Sequence, residues 1–242
     1  MIDELAGVTV VDADTHMTEV HDLWTSRAPA ALRDDMPHVA EVDGAPAWVV
    51  QGTVMGPALG GAVIRRDGTK GPAFEALKTW RLEDVHRGAY DVDARLAVMD
   101  EAGIAAQVVF PNNFGLGGQR LAATVQDPAL LSLCFEIYND ASAEIQAASG
   151  NRLLPLAVMP AYDVDSCVRE ARRAATLGFR GVNITSDPQD QGAPDLANRA
   201  WDPLWEVCAD AQLPVHFHIG ASQTTMTYFG TCLLYTSPSP RD

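Results

Sequence analysis

Five short apolar runs punctuate the chain, each closing on polar residues and most separated by stretches with helical spacing of apolar positions. They are Val8 to His16, Ala105 to Pro111, Leu153 to Pro160, Arg180 to Thr185 and Leu213 to Ile219. Continuous apolar character fits strands buried on both faces, and strands alternating with helices predict a parallel sheet wrapped by helices, an α/β fold. Pro155 weakens its neighbours as strand residues because it cannot donate to a ladder. Helices are predicted from about Asp93 to Ala102 before Gly103, and from Gln119 to Ala148 with a break near Asp127-Pro128. Another runs from Val164 to Leu177 before Gly178, and a last one follows Asp202 as N-cap with Pro203 in the first turn. Arg169, Arg172 and Arg173 fall on the outward, solvated face of the third of these.

The alternation lapses between Val20 and Tyr90. Val39-Ala40-Glu41-Val42 and Ala47-Trp48-Val49-Val50 flank Asp43-Gly44, a hairpin signal, and the rest is rich in Pro and Gly. A connection this long is more often a cap over a binding site than an idle loop. His21, His38 and His86 lie in it and read as surface residues.

The polar ends of the first and last strands carry the chemistry. Residues i, i+2 and i+4 of a strand share a face, so Asp12, Asp14 and His16 are expected to point together. Carboxylate oxygen with imidazole nitrogen is a ligand set for zinc or a similar divalent ion. His216 and His218 share a face of the fifth strand and supply what one strand cannot. Asp12 stands between a role beside the metal site and packing of the strand end. Glu19 either reaches the pocket or is a helix-start acid near Asp22. Asn112 and Asn113, directly after the second strand, are placed for substrate contact, Asn113 being the preferred candidate. Arg81 or Arg87 of the cap offers a cation to a substrate carboxylate, against the plainer reading of surface charge.

Composition sets outer bounds. With 242 residues, 47% of them hydrophobic, the chain can bury the core of one large domain. A formal charge of −15 disfavours nucleic acid and anionic membrane as partners. No apolar stretch is long enough to span a bilayer and Met1-Ile2-Asp3-Glu4 is no signal peptide, so the expectation is a cytoplasmic protein. Cys134, Cys167 and Cys208 sit singly in helical patterns and read as packed, reduced thiols. Composition changes abruptly at Cys232, and the segment 232–242 resembles translated adapter sequence from DNA library preparation. The expected division is therefore a domain over 1–231, with 20–90 as inserted cap, and a non-native tail.

Three segments together resemble the amidohydrolase-related metal-dependent enzymes that include the aminocarboxymuconate-semialdehyde decarboxylase group. They are Val11-Asp12-Ala13-Asp14-Thr15-His16-Met17-Thr18-Glu19, Ala94 to Ile104, and Val215-His216-Phe217-His218-Ile219-Gly220. The resemblance implies a (β/α)8 TIM barrel with the metal at the carboxyl ends of its strands. It also implies a hydrolase or a carboxy-lyase acting on a small, aromatic or unsaturated carboxylic acid. The family's first-strand His-x-His pair falls on Asp14 and His16, and His218 matches its fifth-strand ligand. His216 lies one alternation deeper, as a partner orienting the site or as an interior residue. The family's sixth-strand histidine and eighth-strand aspartate have no counterpart, which implies a barrel truncated after about five strands. As written, such a chain is expected to be inactive and poorly soluble. The fourth strand offers Asn183, Thr185 and Asp187 where two-metal relatives carry a lysine, so one metal ion is expected, zinc by its donors, with manganese or iron tolerated. Family relatives imply a homo-oligomer. The alternative outside catalysis is a metal-binding or scaffold protein on the same fold.

Overall fold

A computed structural model describes residues 7–60, 62–72, 75–76, 79–218 and 220–221. All five expected strands are present and parallel. The first, β1 (Val10–His16), carries the polar end of interest; next in chain order come three strands of the insertion, β2 (His38–Val42), β3 (Ala45–Val50) and β4 (Thr53–Pro57). The parallel series resumes with β5 (Ile104–Phe110), β6 (Leu153–Pro155), β7 (Ala157–Val158), β8 (Val182–Asn183) and β9 (Val215–His216). Hydrogen bonding runs β1-β5-β6 in one sheet and β7-β8-β9 in another. The two are joined through a single interrupted strand. Pro155 pairs with Val109 at the end of β6, the Leu156 N–H still donates to Val109 O at 3.0 Å, and the Ala157 N–H turns to Gly181 O at 3.1 Å. Spatial order thus follows chain order across five strand positions, as right-handed βαβ units produce. Among the described residues the sheet does not close on itself.

Among the described residues these strands are accompanied by helices α1 (Val92–Ala102), α2 (Gln119–Thr124), α3 (Pro128–Ala148), α4 (Val164–Leu177) and α5 (Asp202–Asp210). Their ends follow local chemistry. Asp91, Asp127 and Asp163 accept backbone N–H groups of the first turns of α1, α3 and α4, and Gly103 and Gly178 close α1 and α4 in the left-handed conformation. One boundary differs from expectation. Asp202 is already helical, because a preceding 3-10 turn, Arg199–Trp201, capped by the Asn198 side chain, feeds directly into α5.

The insertion contains one strand more than the hairpin predicts. Asp43 and Gly44, then Gln51 and Gly52, all have positive φ, so two successive two-residue turns of the primed type build an antiparallel β2-β3-β4 meander. Gln51 is an unusual residue for such a turn, which is why β4 was not legible. The meander packs on α3 through Trp24, Trp48, Phe114, Phe135 and Tyr138. Trp24 is fully buried, edge-on to Trp48 at 5.2 Å, and donates its indole N–H to Cys134 O at 2.9 Å. A second core joins α4 and α5 to β7 and β8 around Met159, Ile184, Trp201 and Leu204. Cys134, Cys167 and Cys208 are buried free thiols within these cores. The segment 232–242 lies outside the described residues.

Candidate metal centre

The two faces of β1 are separated by an irregularity in its register. Asp12 pairs with Gln107 and Thr15 with Val109, so three steps of β1 oppose two of β5. The extra residue is a β-bulge, which bends a strand and re-aims its side chains. Asp12 therefore does not share a face with Asp14 and His16, contrary to the simple alternation. Its Oδ2 accepts from Gln107 Nε2 at 3.0 Å and its Oδ1 from the Asp14 N–H at 3.2 Å.

Asp14 and His16 instead turn toward the end of β9. Asp14 Oδ1 lies 3.3 Å from His218 Nε2 and 3.7 Å from His16 Nε2, and one donor atom of each of the three residues falls within 4.8 Å of the others. His16 Nδ1 donates to Pro111 O at 2.9 Å, which orients the ring and directs Nε2 toward Asp14. Phe110 stacks edge-on to His218 with centroids 4.8 Å apart and lies 6.1 Å from His16, giving the cluster an apolar wall. Carboxylate and imidazole donors around a small divalent ion at about 2.0–2.2 Å in tetrahedral geometry stand roughly 3.4 Å apart. The spacing of Asp14 to the two rings brackets that value, so these residues fit a metal ion.

The remaining candidates are dispersed. His216 lies 5.9 Å from Phe110, and burial pushes its pKa down. Gly181 makes room for it, since a Cβ there would stand 3.1 Å from His216 Nε2. Glu19 caps no helix. Its buried carboxyl accepts the N–H groups of Asn112 at 2.8 Å and Asn113 at 3.0 Å and the Asn113 side-chain amide at 2.7 Å, while burial raises its pKa. It thus fixes the loop whose Pro111 carbonyl holds His16. Asn113 is buried by this bond, and its Oδ1 has no hydrogen-bond partner among the described residues. Asn112 packs against Gly60 of the insertion, where a Cβ would stand 2.5 Å from the Asn112 side chain. Asn183 donates to Leu116 O and Thr185 to Ala221 O, and both hold loops rather than stand open. Glu19 also borders a cavity of about 60 Å³ with Tyr138, Ser142 and Tyr90.

The outlying residues make local contacts, Arg81 and Arg87 in keeping with the plainer reading of surface charge. Arg81 pairs with Glu41 and Arg87 with Asp91, both at 2.7 Å on the surface. His21, His38 and His86 are half-buried: His21 stands edge-on to Trp48, His38 bonds Met36 O, and His86 accepts the Gly88 N–H. Arg173 leaves the solvated face of α4 to bind Glu170, Asp140 and Glu136 O. Residues absent from the expectation are Thr15, Arg95, Gln107 and Phe110. Gln107, the one polar residue inside an apolar strand, was the signal available for three of them.

The family model described as Amidohydrolase matches residues 11–241, and the chain belongs to that family. Its fold is similar to that of an amidohydrolase from Mycobacterium avium subsp. paratuberculosis K-10, with 21% identity and a TM-score of 0.65 over 89% of this chain and 60% of that one. It is also similar to Metarhizium anisopliae IDCase, at 18% identity and TM-score 0.56 over 93% and 54% of the two chains. For the 5-carboxyvanillate decarboxylase of Sphingomonas paucimobilis the values are 19% and 0.51 over 88% and 52%. The chain thus spans between about half and 60% of the length of these structures. No curated protein matches it. No helix among the described residues is long and apolar enough to cross a membrane.

Proposed function

We propose that the protein is a metal-dependent carboxy-lyase that removes a carboxylate from a small aromatic or unsaturated acid. One observation carries the reading: Asp14, His16 and His218, from opposite ends of the chain, bring a carboxylate oxygen and two imidazole nitrogens within 4.8 Å. In this reading the five parallel strand positions belong to a (β/α)8 TIM barrel whose carboxyl-end face carries the site, where active sites of that fold lie. The choice of decarboxylation over hydrolysis follows the named activity of the 5-carboxyvanillate enzyme.

Asp14, His16 and His218 would hold one divalent ion, zinc or manganese by donor type. Bound there, the ion supplies Lewis-acid polarisation of substrate oxygens. The chain's own residues prepare that position. The Pro111 carbonyl orients the His16 ring, Glu19 orders the backbone at Asn112 and Asn113, and Phe110 excludes water from one side of His218.

Metal analysis of the purified chain, followed by CO2 release from a panel of hydroxybenzoates, with and without chelator, by a chain that also carries the remaining strands of the barrel, tests this. One equivalent of metal and chelator-sensitive CO2 release are the expected results. Metal binding with cleavage of amide or lactone substrates and no CO2 would replace the lyase with a hydrolase, and absence of metal would remove the reading altogether.

A further inference from the structure

The outward face of β1 carries a closed polar network that no catalytic role absorbs. Arg95, on α1, is half-buried and forms no ion pair among the described residues. Its Nε donates to Gln107 Oε1 at 2.7 Å, one terminal nitrogen donates to Gly88 O at 3.1 Å, and the other to the Thr15 hydroxyl. Gln107 passes the connection on through Nε2 to Asp12 Oδ2, and Asp12 Oδ1 accepts the Asp14 N–H. The guanidinium is therefore tied to β1 on both sides of the bulge: directly at Thr15, and through Gln107 at Asp12.

This arrangement answers a specific structural need. A bulged residue loses its place in the ladder, and its N–H must find another acceptor. Here the Asp14 N–H finds the Asp12 carboxylate. The bulge also puts Asp12 and Thr15 on the outward face together, leaving Asp14 and His16 on the inward one. A regular strand would instead give Asp12 the face of Asp14 and take the acceptor away from the buried Gln107 amide.

We propose that Arg95 is a positioning residue that holds β1 in its bulged register, so that Asp14 and His16 face His218 at metal-binding distance. This rests on the metal reading above. Arg95 acts through Thr15, Gln107 and Asp12 and touches neither metal nor substrate. Because Gly88 closes the inserted segment, the same guanidinium also ties the foot of the insertion to the strand that carries the ligands.

The test is Co2+ titration of the full chain, followed by visible absorption, with Mn2+ affinity measured in parallel by calorimetry. Arg95→Met and Thr15→Val are compared with wild type, and Arg173→Met, a half-buried arginine of another network, serves as control. Loss of the support is expected to weaken metal binding about 10–100-fold in Arg95→Met, with an altered Co2+ spectrum and a smaller change of the same sign in Thr15→Val. Arg173→Met is expected to lower the melting temperature and leave affinity and spectrum alone. Wild-type affinity and spectrum in both Arg95→Met and Thr15→Val would overturn the proposal. If Arg95→Met does not fold, Thr15→Val decides alone by the same criterion. A wild-type chain that binds no metal would defeat the metal reading itself, a result distinguishable from failure of Arg95.

Discussion

Two of the seams in this molecule are built from opposite materials. Where the insertion meets α3, Trp24, Trp48 and Phe114 are at most 1% exposed and close over one another edge to face. Where β1 approaches β9, the contact is made by Asp14, His16 and His218, with the Asp14 side chain 67% exposed, and Val11 and Phe217 remain open at 52% and 43%. The first seam is complete in apolar contact. The second brings polar side chains together with little apolar area to reward the approach, so its geometry must come from the strands that carry it. What the contrast teaches is that stability and chemistry are separable here: truncation should damage the first seam, and loss of a ligand atom the second.

The largest effect is expected from Trp24→Ala, which deletes a fully buried indole and its hydrogen bond to Cys134 O. It should cost about 3–5 kcal/mol in chemical denaturation. A loss under about 1 kcal/mol would show that the aromatic seam is not what holds the insertion. Gly118→Ala follows. Its φ of +75° disfavours a side chain and its Cβ would meet the Phe135 ring at 2.6 Å, so a loss of about 1–3 kcal/mol is expected from the same measurement.

Glu19 lies between the seams and gives the contrast a pH axis. Burial raises its pKa, against the hydrogen bonds from Asn112 and Asn113 that lower it. The native state then holds the proton more tightly than the unfolded chain. This contribution is full below the ordinary carboxylate range and is lost as pH rises through the raised native value. Glu19→Gln, which cannot titrate but turns an amide toward those N–H groups, should be less stable throughout and lack that slope. Its deficit should therefore shrink as pH rises. Denaturation midpoints of the two proteins that run parallel from pH 4 to pH 8 would contradict this assignment. The smallest effect belongs to Arg27→Ala: the forked pair with Glu144, at 2.8 and 2.6 Å, is exposed to solvent and should contribute below about 1 kcal/mol.

Much of this plan was readable from the amino acids because local chemistry decided it. The five parallel strands follow from apolar runs, and α1, α3 and α4 from the helical spacing of apolar positions, the break at Asp127-Pro128 and the glycines at 103 and 178. The meeting of Asp14, His16 and His218 also followed from strand-end polarity and from the family resemblance. What escaped was set by pairing between distant segments. The bulge in β1 exists only against β5, so Asp12 could not be separated from Asp14 by period-two reasoning. Glu19 stood open between the pocket and a helix start because the groups that donate to it, on Asn112 and Asn113, lie far along the chain. The β4 strand was hidden by Gln51 in a turn position that more often takes Asn, Asp or Gly.

The account turns on whether Asp14, His16 and His218 hold a metal ion, and Mn2+ titration of the wild-type chain beside Asp14→Ala and His218→Ala measures it directly. The prediction is one site in wild type and, since a ligand should matter more than its supporting shell, a loss beyond roughly 100-fold in each variant, with melting temperatures in the absence of metal unchanged. Equal affinity in all three proteins, or none in the wild type, would contradict the account.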